Sequence, residues 1–182
     1  MIAYAITDPT TLNFDTLTND LNYFSSHARM IVYRDKKSLH YEHNARVFVE
    51  HAKDFDKVLL HTDYNLASKL HADGVHLKST QLGDIKKAKE LGLFVIVSTH
   101  TIEEAQESES LGANMITYSP IFNTPNKGKA IGLISLKDVI SVVNIPVIAL
   151  GGILTKEQIN ACLEVGAKGF ASIRYFDRKS LN

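Results

Sequence analysis

The sequence predicts an α/β protein with a single compact (β/α)8 barrel, a TIM barrel, in one domain covering residues 1–182. Short apolar runs, typical of buried parallel strands, alternate eight times with helix-like segments. No linker or low-complexity stretch divides the chain. An open doubly wound sheet is the runner-up, and it is less favoured because eight consecutive units show no clear reversal point.

Each predicted strand is an apolar run that ends in polar residues or glycine. The strands are Ile2–Ile6, Met30–Tyr33, Lys57–Leu60, Gly74–Leu77, Leu93–Val97, Met115–Tyr118, Val147–Leu150 and Gly169–Ile173. The helices predicted between them are Phe14–Phe24, Leu39–Ala52, Leu66–Leu70, Leu82–Glu90, Thr101–Leu111, Leu136–Val143 and Lys156–Val165.

The chain after the eighth predicted strand is too short for a full helix. Only a short stretch that ends with Phe176–Asn182 follows that strand, so we expect the final helix to be truncated or missing. The apolar edge left there would be covered by a partner subunit or by the N-terminal segment. A homo-oligomer, with a dimer favoured, is therefore expected.

The composition narrows the classes of function. Twenty basic and twenty acidic residues give no net charge, so nothing favours a nucleic-acid or membrane-surface partner. No apolar run approaches the ~20 residues that cross a bilayer, and the first residues lack a basic leader region. The one cysteine, Cys162, excludes an intrachain disulfide. We expect a cytoplasmic protein.

The stretch Ile145–Ile153 (IPVIALGGI) reads as a buried strand that ends at Gly151-Gly152, shortly before a helix that begins near Lys156. Glycines at this place let backbone N–H groups approach an anion closely, near the start of that helix. The alternative is a tight strand-to-helix turn without a ligand.

In a barrel of this class the active site forms at the carboxyl ends of the strands. The side chains predicted to lie there include several cations, although the whole chain is neutral, which suits a phosphorylated ligand. The predicted cationic residues of this rim are Arg34, Lys36, Lys127 and Arg174.

Seven ordered motifs resemble those of thiamine phosphate synthases and their TenI relatives, from the first strand to the eighth. They are ITD at 6–8, YRDK at 33–36, ADGVHL at 72–77, VSTHT at 97–101, SPIFNTPNKG at 119–128, IPVIALGGI at 145–153 and GAKGFA at 166–171. A lone GG or DGVHL is a weak signal, whereas the ordered set is specific.

The resemblance implies a role for each matching residue. Arg34 and Lys36 would hold the diphosphate of a hydroxymethylpyrimidine substrate, and Lys127 would contact the same leaving group. Ser98 would lie near the pyrimidine. The thiazole phosphate would be held by Thr124, Asn126 and the N–H groups of Gly151 and Gly152, with Arg174 beside them. These synthases join the two phosphorylated compounds and release diphosphate, with Mg²⁺ assisting.

The departures from the synthase pattern fall on the Mg²⁺ ligands. His61-Thr62 stands where Asn-Asp is usual, and Lys78-Ser79-Thr80-Gln81 replaces the stretch that carries the second carboxylate. Mg²⁺ prefers carboxylate oxygens, so a bound Mg²⁺ is doubtful, with Asp63 as the one weak candidate ligand. His61 becomes a candidate acid–base residue because it replaces a ligand position.

Three functions therefore stay open from the sequence. The first is a thiamine phosphate synthase with an altered metal site, which the retained cations favour. The second is a TenI-like thiazole phosphate tautomerase, which the lost carboxylates favour. Pro120 opposes the tautomerase, because a catalytic histidine is usual there. The third is a non-catalytic relative that binds phosphorylated azoles.

Overall fold

Eight parallel strands form a closed barrel in the computed structural model, which describes residues 1–125 and 128–177. Each strand pairs with the next one along the chain, and β8 pairs with β1. The strands are β1 (Ile2–Ile6), β2 (Met30–Tyr33), β3 (Lys57–His61), β4 (Gly74–Leu77), β5 (Phe94–Thr99), β6 (Met115–Tyr118), β7 (Val147–Leu150) and β8 (Gly169–Ser172). The predicted TIM barrel is confirmed.

Seven α-helices surround this barrel in the described part of the chain. They are α1 (Leu17–Ser25), α2 (Tyr41–His51), α3 (Tyr64–Lys69), α4 (Ile85–Glu90), α5 (Ile102–Ser110), α6 (Gly132–Val142) and α7 (Lys156–Glu164). Short 3₁₀ segments stand at Phe14–Thr16, Ser79–Asp84 and Arg174–Phe176.

Several predicted boundaries differ from the structure, and two of these differences have local reasons. Strand β5 continues to Thr99, since Ser98 and Thr99 still pair with Thr117 and Tyr118 of β6. The segment after β4 starts as a 3₁₀ turn, in which the N–H of Lys78 donates to Oε1 of Gln81 at 3.2 Å. Both differences extend ordered backbone at the carboxyl ends of the strands, where the candidate site lies.

The barrel has two apolar layers, as alternation along the strands requires. One layer fills the interior and the other packs between the strands and the helices. The buried residues of the interior layer are Tyr4, Ile6, Met30, Val32, Leu59, Ile96, Met115, Ile148 and Ala171. The filled interior leaves the strand ends as the place for a ligand.

Aromatic side chains cover the outside of β8 in place of a full helix. Within the described residues, only the 3₁₀ turn Arg174–Phe176 follows this strand, in agreement with the predicted truncation. Phe176 is 1% exposed and stacks on Phe170 with ring centroids 5.6 Å apart. Tyr175 meets Phe170 edge-on at 5.0 Å. The apolar edge is thus partly covered by the chain itself, and the dimer stays a prediction.

Across the described residues, no helix is both long and apolar enough to cross a membrane.

Candidate functional site

A cavity of about 560 Å³ opens at the carboxyl ends of the strands. Eight of the residues predicted from the sequence line it, contributed by five strand ends and the loop after β6. These residues are Arg34, Lys36, His61, Ser98, Thr124, Gly151, Gly152 and Arg174. The fold therefore brings the predicted diphosphate and phosphate contacts into one cavity.

Three other predicted residues are not in that group. Asn126 and Lys127 lie outside the described residues. Asp63 is absent from the cavity lining and caps helix α3, where its Oδ1 accepts a hydrogen bond from the N–H of Leu66 at 2.8 Å. A carboxylate used as a helix cap is a poor candidate for a metal ligand at the cavity.

Arg34 is held where β1 and β2 end together. Its backbone N–H donates to Oγ1 of Thr7 at 3.1 Å, and that hydroxyl donates to the carbonyl of Val32 at 3.0 Å. Thr7 is completely buried, so this link is shielded from water. The first residue of the predicted diphosphate clamp thus has a fixed backbone.

His61 lines the cavity together with several positively charged side chains. Burial lowers the pKa of His61 to about 3, with further lowering from His76, Arg34, Lys36 and Lys78. The imidazole is therefore neutral near pH 7. A general base works best when its pKa lies near the working pH, so this environment argues against a proton-transfer role for His61.

His76 joins the barrel interior to the cavity. Its Nδ1 is hydrogen-bonded to the hydroxyl of Tyr4 at 2.9 Å, and its Nε2 to Oγ of Ser98 at 2.9 Å. Burial lowers the pKa of His76 to about 4, with a smaller contribution from Arg34. A neutral imidazole has one donor and one acceptor, so it can satisfy both hydroxyls and orient Ser98.

The two neutral histidines predict an acid-sensitive fold. Between about pH 6.5 and pH 4 the unfolded chain binds protons at His61 and His76 that the folded chain does not. The free energy of unfolding should therefore fall as the pH is lowered through this range. Each histidine contributes about 1.4 kcal/mol per pH unit where the unfolded chain is protonated and the folded chain is not.

Urea unfolding from pH 7 to pH 4.5 measures this effect in the wild type and in His76→Gln. The free energy of unfolding of the variant should fall less steeply as the pH is lowered, by the contribution of one histidine, whatever the stability of the variant at pH 7. An unchanged slope would mean that His76 is not held neutral in the folded protein.

Gly151 and Gly152 lie against the loop that follows β6. Their φ angles are +97° and +70°, in the left-handed region that favours glycine. A Cβ on Gly151 would lie 2.7 Å from Cα of Pro120, and one on Gly152 would lie 2.6 Å from the carbonyl oxygen of Asn123. The glycines are therefore needed for this contact, whether or not a phosphate binds.

Backbone hydrogen bonds join the same two segments. The N–H of Ile121 donates to the carbonyl of Leu150 at 2.9 Å, and the N–H of Phe122 donates to that of Gly151 at 2.9 Å. The N–H groups of Gly152 and Ile153 have no acceptor among residues 1–125 and 128–177. These donors at the cavity wall are consistent with the predicted phosphate contact.

Ser172, at the end of β8, fixes this glycine turn from the other side. Its hydroxyl donates to the carbonyl of Ile153 at 3.0 Å and accepts from the N–H of Tyr175 at 3.1 Å. The turn after β7 is thus held between the loop after β6 and the turn after β8. Arg174, which is exposed, brings a positive charge to this side of the cavity.

The cavity is poor in carboxylates. Asp8 is the one acidic residue among its described lining residues. Its Oδ1 accepts from the N–H of Thr10 at 2.8 Å and from the hydroxyl of Thr10 at 2.6 Å. Within the described ranges, no group of three His, Cys, Asp or Glu side chains could hold a metal ion. The described donors therefore do not fit a carboxylate-held Mg²⁺.

Two contributions to the site were missed by reasoning from the sequence. Lys78 lines the cavity directly after β4, and its position one residue beyond the predicted strand end was the available signal. Tyr4 reaches the site only through His76. Nothing in the local sequence separates Tyr4 from an ordinary core residue, because the contact joins positions 72 residues apart.

Comparisons with known proteins give matches both in sequence and in structure. The family model described as thiamine monophosphate synthase matches residues 3–176. The thiamine-phosphate synthase of Clostridium acetobutylicum is 37% identical over 120 residues, which are 64% of this chain and 56% of that protein. The thiamine-phosphate synthase of Halalkalibacterium halodurans is 36% identical over 146 residues, 76% of this chain and 69% of that protein.

A solved structure gives a match over nearly the whole chain. The thiamine phosphate pyrophosphorylase from Pyrococcus furiosus superposes with a TM-score of 0.79 at 25% identity, covering 99% of this chain and 95% of that one. Among the curated relatives the shared length is smaller. The aligned stretch spans 65% of one relative's length and 56% of another's.

Proposed function

Because this chain belongs to the thiamine monophosphate synthase family, we propose that it joins hydroxymethylpyrimidine diphosphate to thiazole phosphate and releases diphosphate. The observation that carries the proposal is that one cavity has positively charged side chains on two of its sides. Arg34, Lys36 and Lys78 lie at the ends of β2 and β4, whereas Arg174 lies with the glycine turn at the ends of β7 and β8. Two phosphorylated groups require two such places.

The reaction is a substitution at the methylene carbon of the pyrimidine. The bond between this carbon and the diphosphate oxygen breaks, and its electron pair leaves with the diphosphate. The thiazole nitrogen then gives its lone pair to the carbon, and a C–N bond forms. Arg34 and Lys36 would stabilise the negative charge that grows on the leaving group, which is where catalysis by fixed charges is most effective.

Ser98 would lie beside the pyrimidine between the two charged regions. Its hydrogen bond with Nε2 of His76 fixes the position of its Oγ, because the opposite ring nitrogen is engaged by Tyr4. Thr124 and the N–H groups of Gly152 and Ile153 would hold the thiazole phosphate. Asn126 and Lys127 stay predicted contacts. Synthases of this family generally depend on Mg²⁺, but the described donors of this chain do not fit that ion, and the roles above belong to the chain's own residues.

The tautomerase alternative has less support. It needs a proton-transfer group near the thiazole, and Pro120 packs against Gly151 at the place where a histidine would be needed. His61 is too weak a base near pH 7. His100 also lines the cavity, but its Nδ1 is already engaged, since it donates a hydrogen bond to the carbonyl of Ser119 at 2.9 Å.

The test is chromatographic detection of thiamine phosphate from purified protein incubated with both substrates. We expect product to increase linearly with enzyme concentration. Absence of product above the enzyme-free control would contradict the synthase. In that case, conversion of the unaromatised thiazole tautomer would identify a tautomerase, and a raised Tm with thiazole phosphate alone would identify a binding protein.

A further inference from the structure

We infer that this chain binds the diphosphate group without a divalent cation, and that Lys78 supplies positive charge in its place. The inference rests on the proposed function, since it concerns the diphosphate side of the same cavity. It starts from the mismatch between the described residues and a Mg²⁺ site. Mg²⁺ is a hard cation that proteins hold through carboxylates, and Asp8 is the one carboxylate among the described residues that line the cavity.

Each acid near the diphosphate side is already engaged. Asp63 caps helix α3 through the N–H of Leu66. Asp84 accepts from Nε2 of Gln81 at 3.3 Å and from Nζ of Lys87 at 3.4 Å. Asp8 lines the cavity but stands alone there as an acid among the described residues. These carboxylates already accept hydrogen bonds from the chain, so a metal ion would compete with those bonds for their oxygens.

Thr62 follows His61, and its hydroxyl is engaged by the backbone rather than available to a ligand. Its hydroxyl donates to the carbonyl of His61 at 2.6 Å. Its own carbonyl accepts from Nε2 of Gln81 at 3.1 Å, so a neutral amide bridges the turns after β3 and β4. The polar groups at these two strand ends satisfy one another without a metal ion.

Lys78 brings a cation to the same two strand ends. It follows β4 directly, is exposed, and lines the cavity with Arg34 and Lys36. The positive charge of all three cations lowers the pKa of the His61 imidazole, which lines the same cavity. A diphosphate carries several negative charges, and fixed ammonium and guanidinium groups can neutralise them by charge-assisted hydrogen bonds.

The test is isothermal titration of the full chain with inorganic diphosphate at fixed ionic strength, in EDTA and in millimolar Mg²⁺. We expect binding in EDTA, with a Kd no more than about threefold weaker than in Mg²⁺. Lys78→Ala should weaken binding in EDTA about 10-fold or more, since hydrogen bonds to charged groups are among the stronger ones. Lys86→Ala, which removes the same charge from the exposed face of α4, should leave the Kd unchanged.

Two results would overturn the inference: binding that requires Mg²⁺, or equal Kd values for Lys78→Ala and the wild type. Circular dichroism of each variant excludes misfolding as the cause of a loss. The measurement is independent of turnover. A protein that binds diphosphate in EDTA but forms no thiamine phosphate would support this inference and contradict the proposed synthase. A protein that forms thiamine phosphate but binds diphosphate only with Mg²⁺ would support the synthase and contradict this inference.

Discussion

Gly152→Ala should weaken the binding of thiazole phosphate by at least about 10-fold and lower the free energy of unfolding by about 1–3 kcal/mol. The residue has a φ of +70°, which costs energy for any side chain with a Cβ. A Cβ there would also lie 2.6 Å and 2.7 Å from the carbonyl oxygens of Asn123 and Phe122. Both oxygens are backbone, so the loop after β6 must move to make room.

The moved loop carries Thr124, and the turn itself presents the N–H groups assigned to the phosphate. Urea unfolding and titration with thiazole phosphate measure the two effects separately. Gly83→Ala is the matched control, since no atom lies within 4 Å of its Cβ position and its φ lies outside the left-handed region. If Gly152→Ala bound as tightly as Gly83→Ala, the phosphate contact would not lie at this turn.

Arg34→Ala should lower kcat/KM for the condensation by about 10²–10³-fold. Its backbone N–H is held by Thr7 at the carboxyl end of β2, which fixes where its side chain enters the cavity. Charge grows on the diphosphate as the bond to the pyrimidine breaks, and a preorganised cation stabilises that state more than the ground state. The loss should therefore appear in kcat as well as in KM.

Initial rates with varied pyrimidine diphosphate give both constants. Arg46→Ala on the exposed side of α2 removes an equal charge away from the cavity and should leave them unchanged. The affinity for thiazole phosphate should also stay within about threefold of the wild type. An equal loss for both substrates would place Arg34 between the two phosphate positions rather than on the diphosphate side.

Strand positions were predictable because burial on both faces imposes an apolar run with a polar end. β1, β2, β4, β6 and β7 have the predicted limits in the structure. The glycine pair after β7 was also predictable as a turn near the site. Its close packing against Pro120 and Asn123 was not, since it depends on a loop some thirty positions earlier folding back across the strand ends.

The protonation states of the histidines in the site could not be predicted from the sequence, for a similar reason. His61 and His76 have neutral imidazoles because of burial and of cations that arrive from other strands. A histidine at the end of a strand could equally have been exposed and near its ordinary pKa. The relation of Tyr4 to Ser98 through His76 likewise depends on three strands meeting in the barrel interior.

The central claim is that one cavity holds two phosphorylated groups at separate places. Its most direct test is the titration of the protein with thiazole phosphate in the presence and absence of saturating inorganic diphosphate. Separate places predict one thiazole phosphate bound per chain in both titrations, with Kd values that agree within about threefold. A Kd for thiazole phosphate that rises in proportion to the diphosphate concentration would contradict the claim, because it would mean that both anions compete for one place.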